Sequence, residues 1–165
     1  MSQPDPKAPL AAPPAQPPGE MPRELVQFMA GGQTCILSTV DEQSIPLTSL
    51  MTWVVARDPL TVTVAVDQRG RALRNLRKNP QVAVEVLGDG VTFGLRGRAA
   101  IEKESMDKAP FPCALVAIRI EECRNHAAPG VTFFGPRYTF DQGKEHRLAV
   151  EQSVFAELKG EPPPI

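Results

Sequence analysis

The feature that most constrains the fold is a succession of short β-rich segments separated by turn residues. Val, Ile and Thr recur within the segments, whereas Asp, Ser, Gly and Pro stand between them. The predicted strands cover residues 34–40, 45–55, 60–66, 81–87, 91–102, 114–121 and 131–140. Because only one short helix, at 70–78, interrupts the series, the order favours an antiparallel barrel over a doubly wound sheet. We therefore expect a mainly β protein, a β-barrel of six or seven antiparallel strands with flanking helices.

The two ends of the sequence differ in composition from the part between them. Residues 1–20 are rich in Pro and Ala, which predicts an extended or disordered arm. The folded domain is expected over 21–158, with a leading helix at 22–29 and a closing helix at 144–158, and a Pro-rich tail follows at 159–165. In the closing helix, we expect the apolar side chains to face the body of the domain. These are Leu148, Val154, Phe155 and Leu158.

Charge and cysteine content exclude several classes of protein. A net charge of -1 over 165 residues gives no general attraction to nucleic acid or to an anionic membrane. The first residues contain neither a long apolar run nor a basic leader, and three irregularly spaced cysteines are typical of a reducing compartment. The single pair Cys123 and His126 falls short of a structural zinc set. We expect a cytoplasmic protein that binds no metal, nucleic acid or membrane.

The segment most informative about chemistry begins with Asp67 and continues into the short helix. Arg69 and Arg71 stand where that helix starts, although the positive end of a helix disfavours cations. A bound anion reverses this effect, and Gly70 allows the backbone to approach such a ligand closely. A phosphate would satisfy the pattern. So would a solvated basic face with Asp67 as an ordinary helix cap, and the local pattern does not decide between the two.

Other phosphate and nucleic-acid motifs do not match this segment. The sequence contains no G-x-x-x-x-G-K-[ST] loop, and no G-x-G-x-x-G follows a predicted strand. A nucleic-acid patch is disfavoured because no aromatic residues interleave with the arginines.

The order of several segments resembles the FMN-binding split-barrel family related to pyridoxamine 5'-phosphate oxidase. The helix at 25–29 precedes the segment CILSTV at 35–40 and the segment IPLTSLMTWV at 45–54. The basic helix then leads into NLRKNPQVAV at 75–84, and LRGRA follows at 95–99. The resemblance extends over residues 21–121 and implies a split β-barrel that forms a homodimer, with flavin mononucleotide (FMN) held in clefts between the subunits.

The resemblance also implies a role for individual residues. The second strand, at residues 48–53, would line the isoalloxazine ring largely through backbone groups, and its cofactor-binding residues would be Ser49, Leu50, Met51 and Thr52. Val66 and Asp67 would follow the ribityl chain, and the phosphate would be held by Arg69, Gly70, Arg71 and Ala72. Thr92 falls where the family often reaches the cofactor of the other subunit.

The departures from the family pattern leave the ligand and the reaction open. Gly70, Arg71 and Ala72 stand where many relatives have Ser or Thr followed by Lys, and relatives bind haem or a deazaflavin in the same cleft, or no cofactor. Residues 134–138 lack the closing motif of pyridoxamine 5'-phosphate oxidase itself, so we do not expect that enzyme. The expected function is a small-molecule oxidoreductase that uses a reduced nicotinamide donor. The alternatives are a non-enzymatic flavin- or haem-binding or sensing protein, a deazaflavin-dependent reductase, and a cofactor-free interaction module.

Side chains near the expected ring have more than one interpretation. Trp53 is more typical of barrel filling or a dimer contact than of ring stacking, and Met51 fits either the core or the flavin. Tyr138 is expected on a strand, with its hydroxyl at the rim. No catalytic side chain is evident, so a bound flavin would carry any reaction.

Overall fold

A computed structural model describes residues 19–161 and shows a mainly β domain. In chain order its elements are α1 (Arg23–Phe28), β1 (Cys35–Val40), β2 (Pro46–Met51), β3 (Val54–Asp58), β4 (Thr61–Asp67), α2 (Arg71–Lys78), β5 (Gln81–Gly88), β6 (Val91–Lys103), β7 (Cys113–Asn125) and α3 (Arg147–Lys159). The predicted arm lies outside the described residues except for its last two positions, as do residues 162–165 of the predicted tail. None of the helices within 19–161 combines the length and apolar character needed to cross a membrane.

All seven strands join one antiparallel sheet in the order β2-β1-β5-β6-β7-β4-β3. The two edge strands, β2 and β3, are consecutive in the sequence, since only Thr52 and Trp53 lie between them. Three peptide units span at most about 11 Å, so the sheet must curl until its two edges meet at this point. The result is a curled half-barrel, which confirms the predicted fold class and strand number.

Both faces of the sheet are covered in the region of β4. Its side chains alternate between the barrel interior, which holds Val62, Val64 and Val66, and the outer face. On that outer face Ala65 packs in a second apolar cluster with Phe155 of α3. The Thr63 hydroxyl donates a hydrogen bond of 2.8 Å to the Leu158 carbonyl, which ties α3 to β4. The closing helix is therefore fixed against the strand that leads to α2.

The long strand β6 is irregular in its pairing with β7. The register between β6 and β7 shifts between Arg96 and Gly97. At Gly97 a Cβ atom would lie 2.1 Å from the Arg119 carbonyl oxygen, so only glycine allows the two strands this close an approach.

Three details of the sequence prediction are wrong. The predicted strand at 45–55 is two strands, because the chain turns at Thr52 and Trp53 to join the opposite edge. The predicted strand at 131–140 is irregular, since Gly135 and Pro136 interrupt it, and proline has no N–H to donate to a sheet. Leu148 is 51% exposed and does not face the body, whereas Val154, Phe155 and Leu158 are buried as predicted.

The irregular segment before α3 is nevertheless held against the barrel. The Gly90 N–H donates to the Phe133 carbonyl at 2.9 Å, and the Thr34 hydroxyl donates to the Pro136 carbonyl at 3.3 Å. Arg137 forms an ion pair with Asp89 in the β5–β6 turn. These contacts place the residues from Tyr138 onward beside β2.

Candidate functional site

A cavity of about 800 Å³ lies between the edge strand β2 and the closing helix α3. Its floor comes from the end of β4 and the start of α2, and its outer wall comes from α3 and the segment before it. The volume falls within the range of roughly 300–1,000 Å³ that is usual for small-molecule and cofactor sites. Apolar side chains predominate along the lining, and its polar groups include one set at the start of α2 and another on the outer wall.

The first polar place, called here the anion corner, comprises Gly70, Arg71 and Ala72 at the start of α2. Gly70 is the residue before the helix and is extended, with φ -73° and ψ 154°, and no side chain in the described part of the chain caps the helix. The first turn contains no acidic residue. Its free N–H groups and its partial positive charge are therefore available to an anion in the cavity.

Arg69 and Arg71 differ in their surroundings. The Arg69 guanidinium pairs with the Asp67 carboxylate at 3.3 Å, and the Arg69 backbone N–H donates to the same carboxylate at 2.8 Å. These two hydrogen bonds lower the pKa of Asp67, the side-chain one first. Arg71 lines the cavity and forms no ion pair with any residue of 19–161, whereas Arg69 does not line it. Arg71 is thus the arginine at this corner with an uncommitted charge.

The inner wall is the edge strand β2, with the predicted Ser49, Leu50 and Met51, and Thr52 just after it. Among residues 19–161, β2 pairs only with β1, so half of its backbone N–H and C=O groups point away from the sheet. Trp53 also lines the cavity and stacks on Phe111 with ring centroids 5.3 Å apart. This wall therefore combines unused backbone groups with a flat aromatic pair.

The second polar place, called here the acceptor pair, comprises Tyr138 and Glu151 on the outer wall. The Tyr138 hydroxyl donates a hydrogen bond of 2.6 Å to Glu151 Oε1. Glu151 is only 5% exposed although its side chain is polar. Burial, the hydrogen bond to Glu151 and its negative charge, in that order, raise the pKa of Tyr138 well above its ordinary value, so the phenol stays protonated.

Cys113 lies at the base of the cavity, opposite Asp67 in the β4–β7 register. Burial, aided by the charge of Asp67, raises the pKa of the Cys113 thiol to about 11. At neutral pH the group is a thiol and not a thiolate, so it is a poor nucleophile.

The structure brings together nine of the eleven residues predicted for the cofactor. Those that line the cavity are Ser49, Leu50, Met51, Thr52, Val66, Asp67, Gly70, Arg71 and Ala72. Arg69 faces Asp67 outside it, and Thr92 is buried elsewhere, with its carbonyl accepting from the His126 N–H at 2.9 Å. The role expected of Thr92 concerned the other subunit, so it stays a prediction.

Sequence reasoning missed the outer wall, including Phe140, His146, Arg147 and Glu151. A usable signal was present in α3. Glu151 occupies a position of the same helical stripe as Val154, Phe155 and Leu158, and a carboxylate in an apolar stripe indicates a buried, functional or paired acid. Within residues 19–161, no three His, Cys, Asp or Glu side chains are grouped so as to hold a metal ion.

Comparison with known families gives one match over most of the domain. The family described as pyridoxamine 5'-phosphate oxidase matches residues 21–134. The match includes β2, β4 and the anion corner and ends before the acceptor pair. No curated protein is significantly similar to this sequence.

Solved structures share the fold at low sequence identity. The HupZ protein of Group A Streptococcus is 16% identical, with a TM-score of 0.57 over 72% of this chain and 100% of that chain. A candidate pyridoxamine 5'-phosphate oxidase from Lactobacillus delbrueckii is 21% identical, with a TM-score of 0.56 over 64% of this chain and 94% of that chain. Another from Listeria innocua is 17% identical, with a TM-score of 0.52 over 64% and 97% of the two chains. At these identities the likeness concerns the fold alone.

Proposed function

The chain belongs to the pyridoxamine 5'-phosphate oxidase family, and from that membership we propose that its cavity binds FMN. The phosphate would lie at the anion corner, the ribityl chain along Val66 and Asp67, and the isoalloxazine ring along β2. In this proposal Arg71 is the main cationic partner of the phosphate. Arg69 forms an ion pair with Asp67 and so keeps that carboxylate away from the phosphate.

The observation that carries this proposal is the start of α2. An uncapped helix terminus with no acid in its first turn and with an arginine at its first position is electrostatically unfavourable by itself. A phosphate removes the conflict, because it accepts hydrogen bonds from the backbone N–H groups and from the guanidinium. The apolar cavity beside it has room for the rest of a cofactor.

The inner wall is suited to a flat heterocycle with polar edges. The free backbone groups of β2 can hydrogen-bond to ring nitrogens and oxygens, and Met51 and Trp53 offer apolar surface. A bound flavin would supply electron transfer as hydride or single electrons. The side chains of this protein would orient the ring and exclude water from it.

We further propose that the protein is a small-molecule oxidoreductase that takes electrons from a reduced nicotinamide. The cavity of about 800 Å³ extends from β2 to α3, so a second molecule could lie between the proposed ring and the outer wall. No described residue of the cavity forms a nucleophile–base pair that would carry a reaction by itself. The three free cysteines support a reducing, cytoplasmic location.

A homodimer is also proposed, because β2 is incompletely covered in one protomer. Leu50 lines the cavity yet is 68% exposed, and β2 is an unpaired edge. Sedimentation velocity should give a dimer, and Leu50→Glu should shift it toward monomer. Ile45→Glu is a matched control, since Ile45 is 57% exposed but does not line the cavity. Monomeric native protein would contradict this part of the proposal.

A ligand-binding comparison tests the proposed cofactor. Apoprotein is titrated with FMN, riboflavin, haem and a deazaflavin, and binding is followed by absorbance and melting temperature, because a ligand of the native state must raise stability. We expect FMN to bind most tightly and to leave the protein on denaturation. A Soret band with haem in preference to flavin would favour a haem-binding protein instead. A melting temperature that none of the four ligands raises would support the alternative of a cofactor-free module.

A further inference from the structure

The loop between β6 and β7, residues 104–112, contributes an aromatic side chain to the cavity. Pro110 and Phe111 line the cavity from this loop. The Phe111 ring stacks on Trp53 with an interplanar angle of 25°, yet Phe111 remains 40% exposed. One part of a large apolar side chain is thus packed, and another part is open to the cavity, where a flat ring can pack against it.

Two contacts anchor this loop near its middle and at its end. It has neither helix nor strand, and most of its residues are exposed. Met106 is buried in the second apolar cluster, and its N–H donates to the Cys113 carbonyl at 2.8 Å. The Gln68 N–H donates to the Pro112 carbonyl at 3.0 Å. The path of residues 107–111, between these anchors, therefore depends on a further contact.

Glu157 of α3 provides that contact. Its carboxylate accepts a hydrogen bond of 2.9 Å from the Asp107 N–H and one of 2.8 Å from the Lys108 N–H. Lys103 Nζ, at the end of β6, lies 2.9 Å from the same carboxylate. Burial raises the pKa of Glu157, but the hydrogen bonds from Asp107, Lys103 and Lys108 outweigh it and lower the pKa overall. Glu157 is therefore a carboxylate at neutral pH, and both of its oxygens are used by the loop and by β6.

The contacts of Glu157 are separate from those that fix α3 itself. α3 packs on the sheet through buried apolar side chains, and the Thr63 hydroxyl ties its end to β4. Asp107 and Lys108 are exposed, so water can satisfy their N–H groups when Glu157 is replaced. A change at Glu157 should therefore alter the position of the loop and leave the packing of α3 in place.

We propose that Glu157 is a positioning residue for the ring-binding part of the cavity: it holds loop 104–112 so that Phe111 stays stacked on Trp53 and packs against the flat ring of the ligand. The inference deepens the proposed function and rests on it for the identity of that ring, which would be isoalloxazine. Glu157 does not line the cavity, so it acts through Phe111. The phosphate at the anion corner is not involved.

Trp53, the single Trp of the sequence, reports the position of the loop without any cofactor. Quenching of its fluorescence by acrylamide measures how well Phe111 covers it in the FMN-free protein. Phe111→Ala should raise the quenching constant most. Glu157→Gln should raise it less, because an amide has one accepting oxygen and one of the two loop N–H groups loses its partner.

Glu161→Gln is the matched control for Glu157→Gln. Glu161 is exposed just beyond α3, and its carboxylate lies 4.0 Å from Lys159 and not on the loop. Its replacement should leave the quenching of Trp53 unchanged. Melting temperatures confirm that each variant is folded.

Titration with FMN and with riboflavin, which share the ring, measures what the loop contributes to binding. Phe111→Ala should weaken both ligands by about tenfold, the size expected for loss of a stacked aromatic contact. Glu157→Gln should weaken both by about threefold, since it loosens that contact without removing it. When Phe111→Ala is already present, Glu157→Gln should have no further effect, because the side chain through which it acts is gone.

Failure of this proposal can be told apart from failure of FMN binding. If the cavity binds haem or a deazaflavin in place of FMN, with the same dependence on Phe111 and Glu157, the positioning role stands and the FMN assignment falls. Unchanged quenching of Trp53 in Glu157→Gln would overturn the positioning role even where FMN binds. Additive losses of affinity in the double variant would overturn it too, because Glu157 would then act independently of Phe111. A Glu157→Gln protein that loses affinity for FMN but not for riboflavin would have the same consequence.

Discussion

The anion corner and the acceptor pair are two polar places in one cavity, and they arise in opposite ways. The anion corner comes from consecutive residues at the junction of β4 and α2, and its chemistry is a property of a helix terminus. The acceptor pair joins Tyr138 and Glu151, which lie 13 residues apart on an irregular segment and on α3. The first therefore depends on local backbone geometry, whereas the second depends on how α3 packs against the barrel.

The largest effect is expected from a variant that disrupts the packing of α3 against the barrel. Phe155 is 3% exposed in the apolar cluster between α3 and the sheet. Phe155→Ala should lower the free energy of unfolding by about 3–5 kcal/mol, the usual cost of such a cavity. Chemical denaturation measures this change.

The same variant tells which place depends on α3. FMN affinity, which in the proposal depends on the phosphate at the start of α2, should fall little, whereas the raised pKa of Tyr138 should return toward its ordinary value because the contact with Glu151 is lost. A large loss of FMN affinity would show that the anion corner also relies on α3, and the contrast between the two places would be wrong.

A charge reversal at Arg71 tests the anion corner by itself. Arg71→Glu should weaken FMN binding by about a hundredfold, because a carboxylate then faces the phosphate. Without ligand, the same variant should be more stable by about 0.3–1 kcal/mol, since an acid suits the positive end of a helix. Titration with FMN and denaturation of the apoprotein check the two effects.

Arg77→Glu provides the control for this prediction. Arg77 lies six residues, or about 9 Å of helix, farther on and pairs with Glu104 at 2.7 Å. Arg77→Glu should leave FMN affinity within about threefold of the native value, because Arg77 is distant from the proposed phosphate and salt screens its charge. It should lower stability, since it places an acid at the negative end of α2 and breaks an ion pair. Matching losses of FMN affinity in the two variants would indicate a diffuse basic surface.

The smallest expected effect concerns the pH at which Tyr138, the single tyrosine of the sequence, loses its proton. Burial and Glu151 raise the pKa of Tyr138 in the folded state, so its phenolate should form only above the ordinary tyrosine pKa of about 10. Because the folded pKa is the higher one, the stabilisation from Tyr138 is fully present below pH of about 10 and is lost as the pH rises above it. Phenolate absorbance follows the titration, and Glu151→Gln should move it to lower pH. An unshifted native titration would mean that the acceptor pair does not form.

The contrast between the anion corner and the acceptor pair also explains how much of the molecule could be predicted from the sequence. The strands and α2 follow from residue alternation and turn residues, and the anion corner follows from Arg71 and Gly70, which are adjacent in the chain. The break at Thr52 and Trp53 was missed because the composition of 45–55 is continuous, and only closure of the curled sheet requires the chain to change edges there. The strand predicted at 131–140 fails because Gly135 and Pro136 outweigh the β-forming residues around them.

The acceptor pair could not be predicted, for a physical reason. No motif connects Tyr138 to Glu151, and their contact exists only because the segment before α3 is held at Asp89 and Thr34, far away in the sequence. The periodicity of α3 could have identified Glu151 as an acid within an apolar stripe. It could not have identified the partner or the cavity that both face.

The central claim is that Arg71 and the start of α2 bind a phosphate, and comparing FMN with riboflavin tests it most directly. The two ligands differ only in the phosphate, so calorimetric titration of native protein and of Arg71→Ala with each isolates that contact. We expect FMN to bind native protein about a hundredfold more tightly than riboflavin, and Arg71→Ala to remove most of that difference while leaving riboflavin affinity unchanged. Equal affinities of native protein for FMN and riboflavin, or an FMN advantage that survives Arg71→Ala intact, would contradict the account.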